Sequence, residues 1–141
     1  MHLNTAYQST TLRGAEQALQ AILSEQGAQR QAQPDWFKVG ISFAPVYRVF
    51  GLGYEHAKQG RDYFTQERQV GKQNRSYRRY GFTRLFILYS SDRADCVRQV
   101  ERELISLGRR LTHPGGCANQ APGGEGPLSG QGPWFVYLAT K

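Results

Sequence analysis

The chain has 141 residues, which is enough for one domain with a single hydrophobic core and too few for a second independent core. Its 39% hydrophobic and 12% aromatic residues exclude a disordered chain. The formal net charge is +7, no apolar run is long enough to cross a bilayer, and the N-terminus lacks a secretory signal pattern, so we expect a basic, cytoplasmic protein that does not bind membranes.

The first half of the chain predicts three elements. Residues 11–26 carry apolar side chains at helical spacing and form an amphipathic helix. Residues 36–42 alternate apolar and other side chains, as a half-buried strand does, and Gly40 lies on the less apolar face. A second helix is expected over residues 44–57, with Pro45 in its first turn, unless two glycines end it early.

The second half predicts two strands and one helix. Residues 82–91 are apolar and aromatic enough for a central strand. The next helix is expected to be capped by Asp92 and to end at Gly108. Residues 114–133 are too rich in glycine and proline for regular structure, and the chain closes on a strand over Trp134–Thr140.

This order of elements predicts an α+β fold over residues 1–141. Alternating parallel β-α units do not account for it, so the simpler solution is a small, mainly antiparallel, three-stranded sheet flanked by helices. One helix face would then cover the sheet. The sequence contains no internal repeat and does not indicate an oligomeric state.

The positive charge is concentrated in a basic excursion over residues 58–84. Eight basic residues minus two acidic ones leave six of the seven net charges there, interleaved with aromatic side chains. Such a mixture is typical of a surface that follows phosphates and stacks on bases, although a solvated basic surface or a lipid-binding patch has the same composition. The residues expected to contact nucleic acid are Lys72, Arg75, Arg78, Arg79, Tyr77 and Tyr80.

Phosphodiester chemistry would need an arginine and a carboxylate near Gly40. Glycine at a strand end lets a ligand or another chain segment approach closely, and Arg48 follows at a distance from which it can fork onto a phosphate. Glu101 and Glu103 both border the apolar stripe of the last helix, and periodicity does not choose between them. Either carboxylate can hold a divalent cation against a phosphate.

These residues resemble the GIY-YIG nuclease family. Lys38, Val39 and Gly40 resemble its second strand motif, in the form of a phage-type subgroup that has lysine where most members have tyrosine. Arg48 falls at the family's usual offset after the glycine. Glu101, with Leu104 and Ile105 at the third and fourth positions after it, resembles the family's metal-binding glutamate, and a loop with an asparagine follows the helix here as in the family.

The resemblance implies a role for each matching residue. Arg48 would bind the scissile phosphate, Glu101 would hold Mg²⁺ or Mn²⁺, and Asn119 would support the site. Lys38 could contact a phosphate or lower the pKa of a water molecule. The resemblance, and not the periodicity, selects Glu101 over Glu103.

The family's first motif has no counterpart before Trp36. We therefore expect the terminal strand to replace it in a permuted order, with Tyr137 in the place of the first tyrosine and paired with the second motif. Tyr54 or His56 would supply the further side chain that the family places after its arginine, and His56 could relay the proton of the attacking water.

Together these features predict a metal-dependent, endonuclease-like protein that acts on nucleic acid, with DNA favoured over RNA. Two alternatives stay open from the sequence. One is a catalytically inactive nucleic-acid-binding module, and the other is a basic interaction or inhibitor protein of a mobile element that binds an acidic protein.

Overall fold

The computed structural model describes residues 2–30, 33–50, 80–124, 128 and 132–141. Within these residues, the secondary structure in chain order is β1 (His2–Asn4), α1 (Leu12–Gly27), β2 (Phe37–Ser42), α2 (Pro45–Phe50), β3 (Arg84–Ser91), α3 (Ala94–Leu111) and β4 (Trp134–Thr140). None of the described helices is both long and apolar enough to span a bilayer.

The four strands form one mixed sheet in the order β1-β3-β4-β2. β4 is antiparallel to both of its neighbours, whereas β1 runs parallel to β3. The α+β class is therefore confirmed, but the expectation of three strands is wrong. β1 has only three residues, too few to show an alternating pattern, and it is added to the sheet by pairing with an apolar central strand.

Each face of the sheet carries its own hydrophobic cluster. On one face α1 and α3 pack over inward-facing strand residues such as Val39, Leu88 and Leu138. On the other face α2 covers a second cluster that contains Ile87 and Tyr137. Successive strand residues point to opposite faces of the sheet, so each strand contributes side chains to both clusters. Each fully buried Leu or Ile side chain contributes about 1.5–3 kcal/mol to the free energy of unfolding.

The first helix has nearly the predicted bounds. Thr11 is its N-cap, and the Thr11 hydroxyl accepts a hydrogen bond from the Gly14 N–H at 3.0 Å. The apolar stripe at helical spacing is buried as expected, with Leu19 and Ile22 at its centre. The helix ends at Gly27, close to the glycine-containing loop that the sequence indicates.

The last helix differs from its prediction at both ends. Its N-cap is Arg93, without a side-chain cap, so the expectation that Asp92 caps it is wrong. The helix also continues past Gly108 to Leu111. Gly108 is buried against the Phe37 ring, and a Cβ there would lie 2.9 Å from Phe37 Cε2, so this glycine allows close helix–sheet packing and does not end the helix.

Candidate functional site

The antiparallel pair of β2 and β4 brings Gly40 and Tyr137 face to face. They are register partners, and the phenol ring of Tyr137 lies directly over the glycine. A Cβ at residue 40 would stand 2.6 Å from Tyr137 Cζ, which no side chain tolerates without displacement of the ring. The tyrosine is only 1% exposed, so the ring fills the space that the missing side chain leaves.

Arg48 is carried by the helix that packs on this same sheet face. The connection from β2 is short, and the Ser42 hydroxyl fixes it by accepting a hydrogen bond from the Ala44 N–H at 2.9 Å. Val46 and Val49 then bury α2 in the cluster that contains Tyr137. Arg48 itself is exposed, on a helix anchored beside the Gly40–Tyr137 contact.

A segment over residues 116–124, which we call the strap, runs along the outer edge of β2. The Ala118 N–H donates to the Phe37 carbonyl at 2.7 Å. The Asn119 side-chain amide then completes the pairing, because its Oδ1 accepts from the Val39 N–H at 2.9 Å and its Nδ2 donates to the Val39 carbonyl at 2.8 Å. One asparagine side chain thus replaces a neighbouring strand residue and satisfies an edge that would otherwise lack partners.

The strap is also fastened to α3 by two charged side chains. Arg109 Nη2 donates to the Asn119 carbonyl at 2.8 Å and reaches the Ala121 carbonyl at 3.4 Å. Nearer the start of α3, Glu101 Oε1 accepts from the Gly124 N–H at 2.9 Å. Gly123 has φ +86 and lies so close to α3 that an added Cβ would stand 2.7 Å from Ile105 Cδ1. The strap therefore fits α3 closely over its whole second half.

Between the strap, α3 and β2 lies a cavity of about 510 Å³. Among the described residues, its polar side chains are Lys38, Glu101, Asn119 and Gln120, and the lining is completed by Ile105, Ala118, Ala121 and Gly123. Lys38 stands two residues before Gly40 on β2, but neither Gly40 nor Tyr137 lines the cavity. Three residues predicted separately from the sequence, Lys38, Glu101 and Asn119, are thus brought together.

The cavity distinguishes the two glutamates that periodicity left equivalent. Glu101 lines it and is hydrogen-bonded to the strap, whereas Glu103 is not among the lining residues. Arg48 and Tyr137 are not among them either: both belong to the α2 side of the sheet. The predicted site residues therefore form two groups on opposite faces of the sheet: Glu101 lies on the α3 side, and Arg48 and Tyr137 lie on the α2 side.

Several predicted residues lie outside the part of the chain that the structure describes. They are Tyr54, His56, Lys72, Arg75, Tyr77, Arg78 and Arg79. Most of the predicted basic excursion falls there as well. Of the residues expected to contact nucleic acid, Tyr80 is described, and its side chain is 66% exposed.

The donor set of the cavity is compatible with a hard divalent cation. In the described ranges, no group of three or more His, Cys, Asp or Glu side chains could share a metal ion. Mg²⁺, however, commonly keeps several water ligands and binds through one or two carboxylates together with substrate phosphates. Glu101, a carboxylate at the wall of a cavity large enough for several water molecules, fits that mode of binding.

The Cys117 thiol makes a hydrogen bond within the strap. Its Sγ donates to Asn119 Oδ1 at 3.4 Å, and burial is the main cause that raises the pKa of the thiol above its ordinary value. The thiol is therefore protonated at neutral pH and acts as a donor. The sequence analysis missed this contact and the Arg109 clamp, and the glycine-rich composition of the loop was the only signal that the backbone approaches another element closely here.

No protein-family model, curated protein or solved structure matches this chain. The chemistry of the site has to be argued from its own residues and geometry.

Proposed function

We propose that this protein is a metal-dependent endonuclease that hydrolyses phosphodiester bonds of nucleic acid, with DNA favoured as substrate. One observation carries the proposal: Lys38, Glu101 and Asn119 line one cavity. These residues are matched to the GIY-YIG motifs by the sequence alone. Their proximity in space is what an active site of that kind requires.

The position of the terminal strand supports a permuted version of that family. The resemblance calls for a strand with a tyrosine to pair with the strand that carries Gly40, and no such strand precedes Trp36. β4 pairs antiparallel with β2 along its whole length, and Tyr137 is the register partner of Gly40. A strand from the end of the sequence thus occupies the place that the first motif would need.

Each residue has a role that its chemistry allows. Arg48, exposed on α2, would fork onto the scissile phosphate with its planar guanidinium. Glu101 would hold Mg²⁺ or Mn²⁺, and such an ion supplies charge stabilisation to phosphoryl oxygens. Lys38 would add a second positive charge for the phosphate, while Asn119 keeps the β2 edge and the strap in place. His56 in its neutral form, or a tyrosine in its phenolate form, would accept the proton of the attacking water.

A plasmid cleavage assay tests this proposal. Purified wild-type protein with Mg²⁺ should convert supercoiled DNA to nicked or linear forms, and a chelator should stop the reaction. Arg48→Ala removes an exposed side chain from a helix whose buried face is unchanged, so we expect the variant to fold and to lose cleavage by about 100-fold or more. Intact plasmid with wild-type protein under all conditions would refute the enzymatic proposal.

A second candidate is a nucleic-acid-binding module without catalysis. Two observations favour it: Tyr137 is only 1% exposed, and Glu101 Oε1 already holds the Gly124 N–H. Both side chains therefore have structural uses that do not require a reaction. This alternative gives salt-sensitive binding of nucleic acid with no strand cleavage in the assay described above.

A further inference from the structure

The end of the sheet at which β4 finishes carries three basic side chains. Arg84 opens β3 and is the register partner of Thr140, the residue before Lys141. The Lys141 N–H donates to the Trp36 carbonyl at 2.9 Å. Arg30 stacks over the Trp36 ring, with its Cζ 5.6 Å from the ring centroid. Trp36 therefore contacts Arg30 through its ring and the Lys141 backbone through its carbonyl, and strand pairing places Arg84 at the same end of the sheet.

Among the described residues, no salt bridge is present at Arg30, Arg84 or Lys141, and the pair that joins Arg93 and Asp95 lies beyond the opposite end of β3. The pKa of Arg30 is lowered mainly by burial and also by the positive charge of Arg84. A group of like charges at one end of the sheet attracts an anionic ligand.

An exposed aromatic side chain borders the same end. Tyr80 is 66% exposed and is followed by Gly81, where an added Cβ would lie 3.8 Å from Lys141 Cδ. Lys141 Nζ is 5.5 Å from the centroid of the Phe82 ring, so the ammonium is held over an aromatic face. A large exposed ring beside fixed cations is the combination that stacks on an unpaired base while the cations contact phosphates.

We propose that Arg30, Arg84, Lys141 and Tyr80 form a docking surface for single-stranded nucleic acid, here called the strand-end surface. This inference rests on the proposed nucleic-acid function and adds to it the class of substrate and a second contact region. Arg30, oriented by its stack on Trp36, and Arg84 contact the phosphate backbone together with Lys141. Tyr80 stacks on a base, which gives preference for an unpaired strand over a duplex.

The test is fluorescence anisotropy with a labelled single-stranded oligodeoxynucleotide of about 20 bases, titrated at several salt concentrations. For a single strand, log K falls with log[salt], and each phosphate contact adds about 0.7 to the magnitude of the slope. Arg84→Gln with Lys141→Gln should therefore reduce the magnitude of the slope by about 1.4. Tyr80→Leu should weaken binding about tenfold and leave the slope unchanged. The duplex of the same sequence should bind less tightly than the single strand.

Arg13→Gln is the matched control for the single variant Lys141→Gln. It removes the same charge from the opposite end of the sheet, where α1 begins and β3 has ended, so its slope should equal that of the wild type. If the double variant does not fold, Lys141→Gln alone, which changes only the last residue, can be measured instead. Its slope should be smaller in magnitude than that of the wild type by about 0.7.

The outcomes separate the two proposals. Equal slopes for the strand-end and control variants, with wild-type binding intact, would overturn the strand-end surface alone. Absence of wild-type binding even at low salt would overturn this inference together with the proposed function. Binding without cleavage, with a reduced slope for the strand-end variant, supports the surface and refutes only the enzymatic activity.

Discussion

The Tyr137 ring occupies the space over Gly40 on the neighbouring strand, and the two residues form one packing unit. This relationship explains why a strand residue next to a candidate phosphate site has no side chain. It also joins β4 to β2, the strand that carries Lys38, although the two strands are far apart in the sequence. The arrangement of the site therefore depends on the pairing of β4 with β2.

The Gly40–Tyr137 contact can be tested by filling it. We expect Gly40→Ala to lower the free energy of unfolding by about 1–3 kcal/mol, because the added methyl group overlaps a buried ring. Chemical denaturation measures this change. Gly40→Ala combined with Tyr137→Leu should be less destabilised than the sum of the two single variants, since leucine leaves room for the methyl group. Additive effects of the two changes would mean that the residues do not touch.

The asparagine clamp on the β2 edge makes a second prediction. Asn119→Ala removes both bonds to Val39 and leaves a backbone N–H and carbonyl without partners, so we expect a loss of about 1–3 kcal/mol in the free energy of unfolding. Gln120→Ala, an exposed neighbour on the strap, should stay within about 0.5 kcal/mol of the wild type. Equal denaturation midpoints for the two variants would contradict the clamp.

Arg109 should contribute to stability through the strap and not through its charge alone. Arg109→Ala removes its bonds to the carbonyls of Asn119 and Ala121, and we expect a loss of about 1 kcal/mol. Arg110→Ala, also exposed and next to it on α3, is the control with the same change of charge. The difference between their midpoints in urea measures the clamp, and no difference would argue against it.

The Cys117 thiol predicts a specific dependence of stability on pH. Its pKa is raised in the folded protein, chiefly by burial, so the unfolded chain loses this proton at a lower pH than the folded protein does. The stability that Cys117 contributes is therefore present below about pH 8.5, the ordinary thiol pKa, and falls as the pH rises above it. Denaturation of wild type and Cys117→Ala at neutral and alkaline pH should show a difference that shrinks with increasing pH. A constant difference would contradict this assignment.

The elements with strong periodicity were predictable from the sequence. The strand Trp134–Thr140 has its predicted bounds, and the amphipathic first helix differs by one residue at each end. These segments carry enough apolar side chains at one period to determine their own structure. β1 could not be found this way, because its three residues form a strand only when β3 is there to pair with them.

The helix-end signals at Asp92 and Gly108 failed for a related reason. Both signals depend on neighbouring residues in the sequence and take no account of tertiary contacts. Gly108 lies inside the helix because the absence of a side chain there lets the Phe37 ring of β2 pack against it. The helix start at Arg93 has no side-chain cap, and we find no local feature that accounts for it.

The candidate site was only partly predictable. Motif resemblance selected Glu101, Lys38 and Asn119, and the fold brings these three to one cavity. Their neighbours on the strap could not be inferred, because backbone carbonyls and amides give no sequence signal for the side chains that bind them. The contact of Arg109 with the Asn119 carbonyl is of this kind.

The rate of DNA cleavage by two neighbouring glutamate variants tests the central proposal most directly. Glu101→Gln keeps an oxygen that can accept from the Gly124 N–H but removes the charge that would hold a divalent cation, whereas Glu103→Gln changes the same helix outside the cavity. With Mg²⁺ and enzyme in excess over DNA, we expect Glu101→Gln to be slower than wild type by about 100-fold or more and Glu103→Gln to keep its rate within about twofold. Equal rates for the two variants would contradict a catalytic cavity at Glu101.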